Sequence, residues 1–353
     1  MSKLTRILMF TVALVLVAGC ASSGGTTTSS SAASLVSIGA GLQGPSGLTA
    51  SVYATGLEHA SAFAFDAQGR LWVATAAYED EGDDAVYLVA ASGATPVKVV
   101  SGVHTPLGLL WYRDELYVSS KDRVDAYSGF DGSTFAGTRS VVTFADGTGE
   151  NNGLALSPDG RIMLGISAPC DACTPTARYA ASIVSFRPDG SDLQVYASGI
   201  RAAVGLAYYP GTDILFATMN QRDDLGSKTP GDWLSVVTEG EQWGFPACYR
   251  QGGSACTDVP EPVAALDEHA AVSGVTIVTG QLGKTVGTSA IVAEWAKSSV
   301  RRVALTKDGS TDTGTAEPFL TGFKSPEPVA SGADGALFVG DWATGRIYRV
   351  AAS

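Results

Sequence analysis

The stretch from Asn151 to Tyr249 decides the fold of this chain. It begins NNGLALSPDGRIMLGIS (151–167), continues through RPDGSDLQVYASGIRAAVGLAYYPGTDILFATMNQRDDLG (187–226) and closes with EGEQWGFPACY (239–249). Twice within it an apolar strand runs into a Ser-Pro-Asp-Gly or Tyr-Pro-Gly-Thr turn and returns as a second apolar strand. Pro presets one backbone dihedral and Gly accepts positive φ, so such turns reverse the chain. The alternation of Ile162, Leu164 and Ile166 against Met163, Gly165 and Ser167 has the period of a strand rather than a helix.

The unit recurs outside this stretch. Copies read SAFAFDAQGRLWVATA (61–76), PLGLLWYRDELYVS (106–119), NGLALSPDGRIMLGIS (152–167), VGLAYYPGTDILFAT (204–218), SGVTIVTGQLGKTVGTSAIVAEW (273–295) and PVASGADGALFVGDW (328–342). Copies about 45–70 residues apart match the spacing of stacked four-stranded blades. A single blade leaves a face uncovered, and radial stacking buries it against a neighbour. The sequence therefore predicts an all-β, six-bladed β-propeller in one domain over residues 44–353. The last copy is short of strands at the C-terminus. Leu48 to Tyr53 is expected to complete that blade and close the ring, which removes an open edge.

Composition agrees. The 353 residues include 42 Gly and are 45% hydrophobic but only 16% charged, as suits a tightly turned β domain. The net charge of −12 gives no basic footprint for nucleic acid, so none is expected as a partner. A monomer is expected.

Residues 1–19 read as an export signal: Lys3 and Arg6 precede an apolar run, Ile7 to Ala18, too short to span a bilayer comfortably. Val17-Ala18-Gly19-Cys20 resembles a bacterial lipobox, so Cys20 is expected to carry lipid. An ordinary signal peptide with an incidental Cys20 is the alternative. Residues 20–43, rich in Ser, Thr, Gly and Ala, are expected to form a flexible tether. The expected location is outside the cytoplasm, lipid-anchored to the cell membrane or outer membrane.

Four further cysteines, Cys170, Cys173, Cys248 and Cys256, allow three pairings. Export favours disulfides, and locality favours Cys170–Cys173 and Cys248–Cys256. A four-thiolate zinc site is the competing reading. Thr174 after Cys173 excludes a c-type haem. The acidic run Glu79-Asp80-Glu81-x-Asp83-Asp84 is either a solvated loop or a calcium loop, and the former is preferred. His59, His104 and His269 each precede a repeat copy, which would bring them near the channel mouth.

Taken together, the segments resemble the glucose/sorbosone dehydrogenase family of pyrroloquinoline quinone (PQQ) enzymes. The residues that carry this are NGLALSPDGRIMLGIS, GIRAAVGLAYYPGTDILFATMNQRDDLG, EGEQWGFPACY and the closing PVASGADGALFVGDWATGRIYRV. The resemblance implies PQQ over the channel, calcium beside it, and oxidation of a sugar or related alcohol or aldehyde by hydride transfer to the quinone. It places Arg201 at the cofactor, with Asn152, Gln221 and Arg222 as further cofactor contacts and Gln221, Asp223 and Asp224 as calcium ligands. The sequence departs from the family in three places. Gly149-Glu150-Asn151 stands where the base histidine is expected, which leaves Glu150 as a candidate base. Arg201 is followed by Ala202-Ala203 rather than Asn-Pro. Ser325-Pro326-Glu327 replaces expected basic residues. The alternative is therefore a propeller that has lost its cofactor and binds a small molecule, glycan or protein at the channel mouth. A hydrolase of the six-bladed lactonase type would need several carboxylates around a metal, and the sequence offers no such convergence.

Overall fold

The structure is a computed structural model, described here for residues 34–78, 84–250, 256–306 and 314–353. Residues 1–33, which hold the expected export signal and Cys20, and residues 79–83 of the acidic run lie outside the described residues. The unit from Ala33 to Ser353 is a closed ring of six antiparallel sheets.

Blade one comprises Ala60–Phe65, Leu71–Thr75, Asp84–Val89 and Val97–Val103. Blades two to four follow in the same order, their innermost strands being Gly108–Tyr112, Asn151–Leu156 and Ala203–Tyr208. Blade five begins at Val272–Thr279 and ends at Glu317–Thr321. Blade six takes Pro326–Ser331, Leu337–Asp341 and Arg346–Ala352 from the C-terminus and Leu48–Ala54 from the N-terminal side, with Tyr348 opposite Val52 and Val350 opposite Ala50. The expected closure is therefore present.

Residues 36–43, expected as the end of a flexible tether, are instead folded. Val36–Gly39 and Leu42–Gly44 form a hairpin that adds two strands to the outer edge of blade five. The cause lies in two apolar residues within a polar stretch: Ile38 and Leu42 are buried in the seam between blades five and six.

The apolar core is divided among the seams. Each adjacent pair of blades encloses its own cluster, including the pair that joins blade six to blade one. This explains why the second strand of a blade is buried on both faces, as Ile162–Ile166 and Leu215–Met219 are. The alternation around Ile162 thus separates two seams rather than core from solvent. Ile162, Leu164 and Ile166 pack toward blade two, and Met163 toward blade four.

At the axis the repeat needs glycine. Gly108, Gly153 and Gly205 occupy matching positions on innermost strands. A Cβ on each would stand 2.4–2.6 Å from a carbonyl oxygen of the next blade: Asn152, Val204 and Ser273, respectively. The missing side chain lets neighbouring strands converge on the channel.

Candidate functional site

Innermost strands of a propeller run parallel. Segments entering the first strand and leaving the second therefore meet at one end of the ring. Glu150 and Asn152 come from the entry to blade three, and Arg201 from the entry to blade four. Asn220 and Asp223 follow the second strand of blade four, and His269 precedes blade five. Trp295 leaves the second strand of blade five, and Glu327 lies on the first strand of blade six. Together with Tyr78 they line one cavity of about 610 Å³. A smaller space of about 110 Å³ continues along the glycine-lined axis, with Tyr78 and Glu327 bordering both.

Arg201 is held on three sides. Its Nη2 lies 2.7 Å from Asp171 Oδ1, Nε donates to the Asp171 carbonyl and Nη1 donates to the Asn220 carbonyl. Asp171 also accepts the backbone N–H groups of Asp223 and Asp224 at 2.7–3.0 Å. It sits inside the short loop closed by the Cys170–Cys173 disulfide; the second bridge joins Cys248 to Cys256. Asp171 therefore fastens the loops of blades three and four together. The sequence reading passed over it, although its position between two cysteines marks a constrained carboxylate. Asp171→Ala is expected to cost about 2 kcal/mol, the usual scale for losing hydrogen bonds to a charged group. Urea unfolding of the variant measures it.

The loop after the second strand of blade four is occupied by its own partners. The Gln221 side chain donates to the Tyr249 carbonyl at 2.7 Å and accepts from the Arg222 backbone. Arg222 grips Asp224 with two bonds of 2.6 Å and lies over the Tyr249 ring. These three side chains are not on the cavity wall, whereas Asp223 is. Asn152 lines the cavity, but its amide donates to Ser167 Oγ and the Glu150 carbonyl.

His269 is the histidine of the cavity wall. Its Nδ1 is 2.6 Å from Asp223 Oδ1, and its Nε2 is 2.9 Å from the Gly226 carbonyl. Both partners are acceptors, so the geometry favours the doubly protonated ring. The bond to Asp223 accordingly raises its pKa. A ring so engaged has no lone pair for taking a proton.

The acids dominate the rest of the wall. Glu327 is 5% exposed; its Oε1 accepts from the Tyr78 hydroxyl at 2.7 Å, while Oε2 has no partner. Burial, with a smaller contribution from Glu150, pushes its pKa up to about 8. Tyr78 as a whole residue is nearly half exposed, but its hydroxyl end is enclosed. Burial first, and then Glu327, raise its pKa well above the ordinary value. Asp232 is buried too, and its pKa rises to about 6 although it accepts the N–H groups of Gln221 and Val272. Glu150 is exposed at the rim. Enclosure of its carboxyl raises the pKa while Arg201 and Lys121 oppose the rise, and solvent screens both effects.

With this geometry in view, residues 179–349 match the family described as Glucose / Sorbosone dehydrogenase. Over that part the chain is similar to the glucose/sorbosone dehydrogenase family. Residues 59–219 match the SMP-30/Gluconolactonase/LRE-like region, an overlapping and earlier part of the ring. A curated relative, an uncharacterized protein of Borreliella burgdorferi, is 24% identical over 71% of this chain and 77% of its own. Among solved structures, a calcium structure of the Trichoderma reesei Carbohydrate-Active Enzymes Family AA12 superposes with a TM-score of 0.72 at 17% identity. It covers 88% of this chain and 96% of its own. The PQQ-bound form of aldose sugar dehydrogenase from Streptomyces coelicolor gives 0.69 at 19% identity, covering 87% and 99%. These structural likenesses concern the fold.

The residues present do not fit PQQ or calcium as the family resemblance implies them. PQQ brings three carboxylates to a wall that already carries Glu150, Asp223, Asp232 and Glu327. The two basic side chains on that wall, Arg201 and His269, are paired with Asp171 and Asp223. Anion binding needs the opposite balance. For calcium, Gln221, Asp223 and Asp224 are each bonded within the protein. Among the described residues no cluster of three or more His, Cys, Asp or Glu side chains could hold a metal ion.

Proposed function

We propose that this propeller binds a sugar or related polyol in the cavity at its channel mouth. The observation that carries the reading is the make-up of that wall: hydrogen-bonding carboxyls and amides beside the rings of Tyr78 and Trp295, around about 610 Å³. The volume lies within the range of small-molecule sites, roughly 300–1,000 Å³. Carboxyls and amides bond hydroxyl groups, and an aromatic face covers the apolar side of a sugar ring. The indole N–H of Trp295 and the side-chain oxygen of Asn220, two residues of that wall, are buried without a protein partner. Calorimetric titration of the purified chain with a panel of hexoses and polyols tests this. Saturable binding supports it; heats no larger than dilution across the panel reject it.

The family match over residues 179–349 favours a second reading, a PQQ-dependent dehydrogenase acting on a sugar, alcohol or aldehyde. The acid-rich wall and the doubly donating His269 speak against it. Titration with PQQ and calcium, followed by dye reduction with aldoses, separates the two. Turnover that disappears in Arg201→Ala would establish the dehydrogenase; absence of cofactor binding would leave a binding module.

A further inference from the structure

Glu327 is the least explained group in the molecule. It stands where the axial channel opens into the cavity and borders both spaces. One carboxyl oxygen takes the Tyr78 hydroxyl; the other, Oε2, is buried without a partner in a side chain only 5% exposed. A buried oxygen left unpaired is costly, and it is tolerated where a ligand completes it.

The surroundings indicate the sign of that ligand. Glu150, Asp223 and Asp232 share the wall, and both basic groups are already paired. The remaining side is aromatic. Tyr78 and Trp295 each pack against Trp342, with ring centres 6.3 and 5.6 Å apart. Carboxylates and electron-rich ring faces both attract cations. With no cation bound, burial favours the protonated carboxyl. A bound ammonium would supply the missing counter-charge and a donor for Oε2.

We propose that the cavity prefers a ligand carrying a protonated amine, an amino sugar or amino polyol over its neutral counterpart, with the ammonium received at Glu327 Oε2. This rests on the sugar-binding reading above and narrows its substrate class.

The full chain is titrated at neutral pH with glucosamine, glucose, N-acetylglucosamine and gluconate. Glucosamine should bind about ten-fold more tightly than glucose, the ratio one strong charge-assisted hydrogen bond leaves after the cost of releasing the Glu327 proton. N-acetylglucosamine, which keeps the ring but loses the charge, should fall back to the affinity of glucose. Glu327→Gln should abolish the preference, with glucosamine and glucose binding equally to the variant whatever affinity it keeps for glucose. Should that variant fail to fold, the N-acetylglucosamine comparison decides alone. Equal binding of glucosamine and glucose, or a preference for gluconate, overturns the amine proposal and leaves sugar binding standing. Failure of all four sugars overturns both.

Discussion

Gly205→Ala lowers the unfolding free energy by about 3 kcal/mol, the upper part of the usual range for overpacking a close-packed site. Adding one methyl group does this because of where it falls. The new carbon would stand 2.4 Å from the Ser273 carbonyl oxygen and 2.9 Å from Thr218 Oγ1. Neither is the free end of a flexible side chain. Thr218 Oγ1 accepts from the Gly205 backbone and donates to that same Ser273 carbonyl, which locks the seam between blades four and five. Relief requires the two innermost strands to separate, which also disturbs the axis and the cavity above it. Gly137→Ala serves as the control. It lies on an outer strand, and its added carbon would meet only Ser128 Oγ at 3.4 Å, so stability should change by less than about 0.5 kcal/mol. Guanidinium unfolding of both variants measures the contrast. Equal, small losses would mean that the seam is slack at the axis and that these glycines are not there for close approach.

The same glycines show what a single sequence can disclose. Paired apolar strands around Pro-Asp-Gly turns announce the ring, because local turn chemistry and repeat length both act along the chain. Leu48 to Tyr53, within the observed strand Leu48–Ala54, was legible as the closing segment for the same reason: a short final blade and an orphan apolar segment complete one another. The hairpin at residues 36–44 was not, since Ile38 and Leu42 gain meaning only from the seam that receives them. At the mouth, the sequence could pick out Arg201, Asn152 and Glu150, which border the cavity. It could not show that Gln221, Arg222 and Asp224 spend their hydrogen bonds on one another and on Tyr249. Nor could it show that Asp171 or Tyr78 matters, because each acts on a partner far away in the chain: Tyr78 meets Glu327 across the join between blades one and six. Spacing reports local geometry, whereas the occupancy of a polar atom depends on whatever the ring brings opposite it.

The Tyr78–Glu327 pair makes folding stability depend on pH in a direction opposite to that of a salt-bridged carboxylate. The folded chain holds the Glu327 proton up to about pH 8, against an ordinary glutamate value of 4.5. Below the ordinary value both states are protonated and nothing is lost. As pH rises from there to about 8, the unfolded chain ionises first, so unfolding is favoured by about 1.4 kcal/mol per pH unit. The full span comes to about 5 kcal/mol, a figure comparable with the entire stability of many domains. Asp232 acts in the same sense between 3.8 and about 6. His269 does so as well, since its imidazolium is favoured in the fold and that gain is lost as pH rises through its raised pKa. Denaturant midpoints should therefore fall markedly between pH 5 and pH 8. Glu327→Gln keeps an acceptor for the Tyr78 hydroxyl and removes the ionisation. It should match the native chain at pH 5 and exceed it at pH 8, leaving the smaller slope due to Asp232 and His269. Parallel pH profiles for the two proteins would show that Glu327 is charged in the fold, and the unpaired Oε2 would then need a counter-ion already present. A variant that gains stability at pH 8 while losing its preference for the amine would show instead that the buried carboxyl is kept at the expense of folding, as expected of a binding group rather than a packing one.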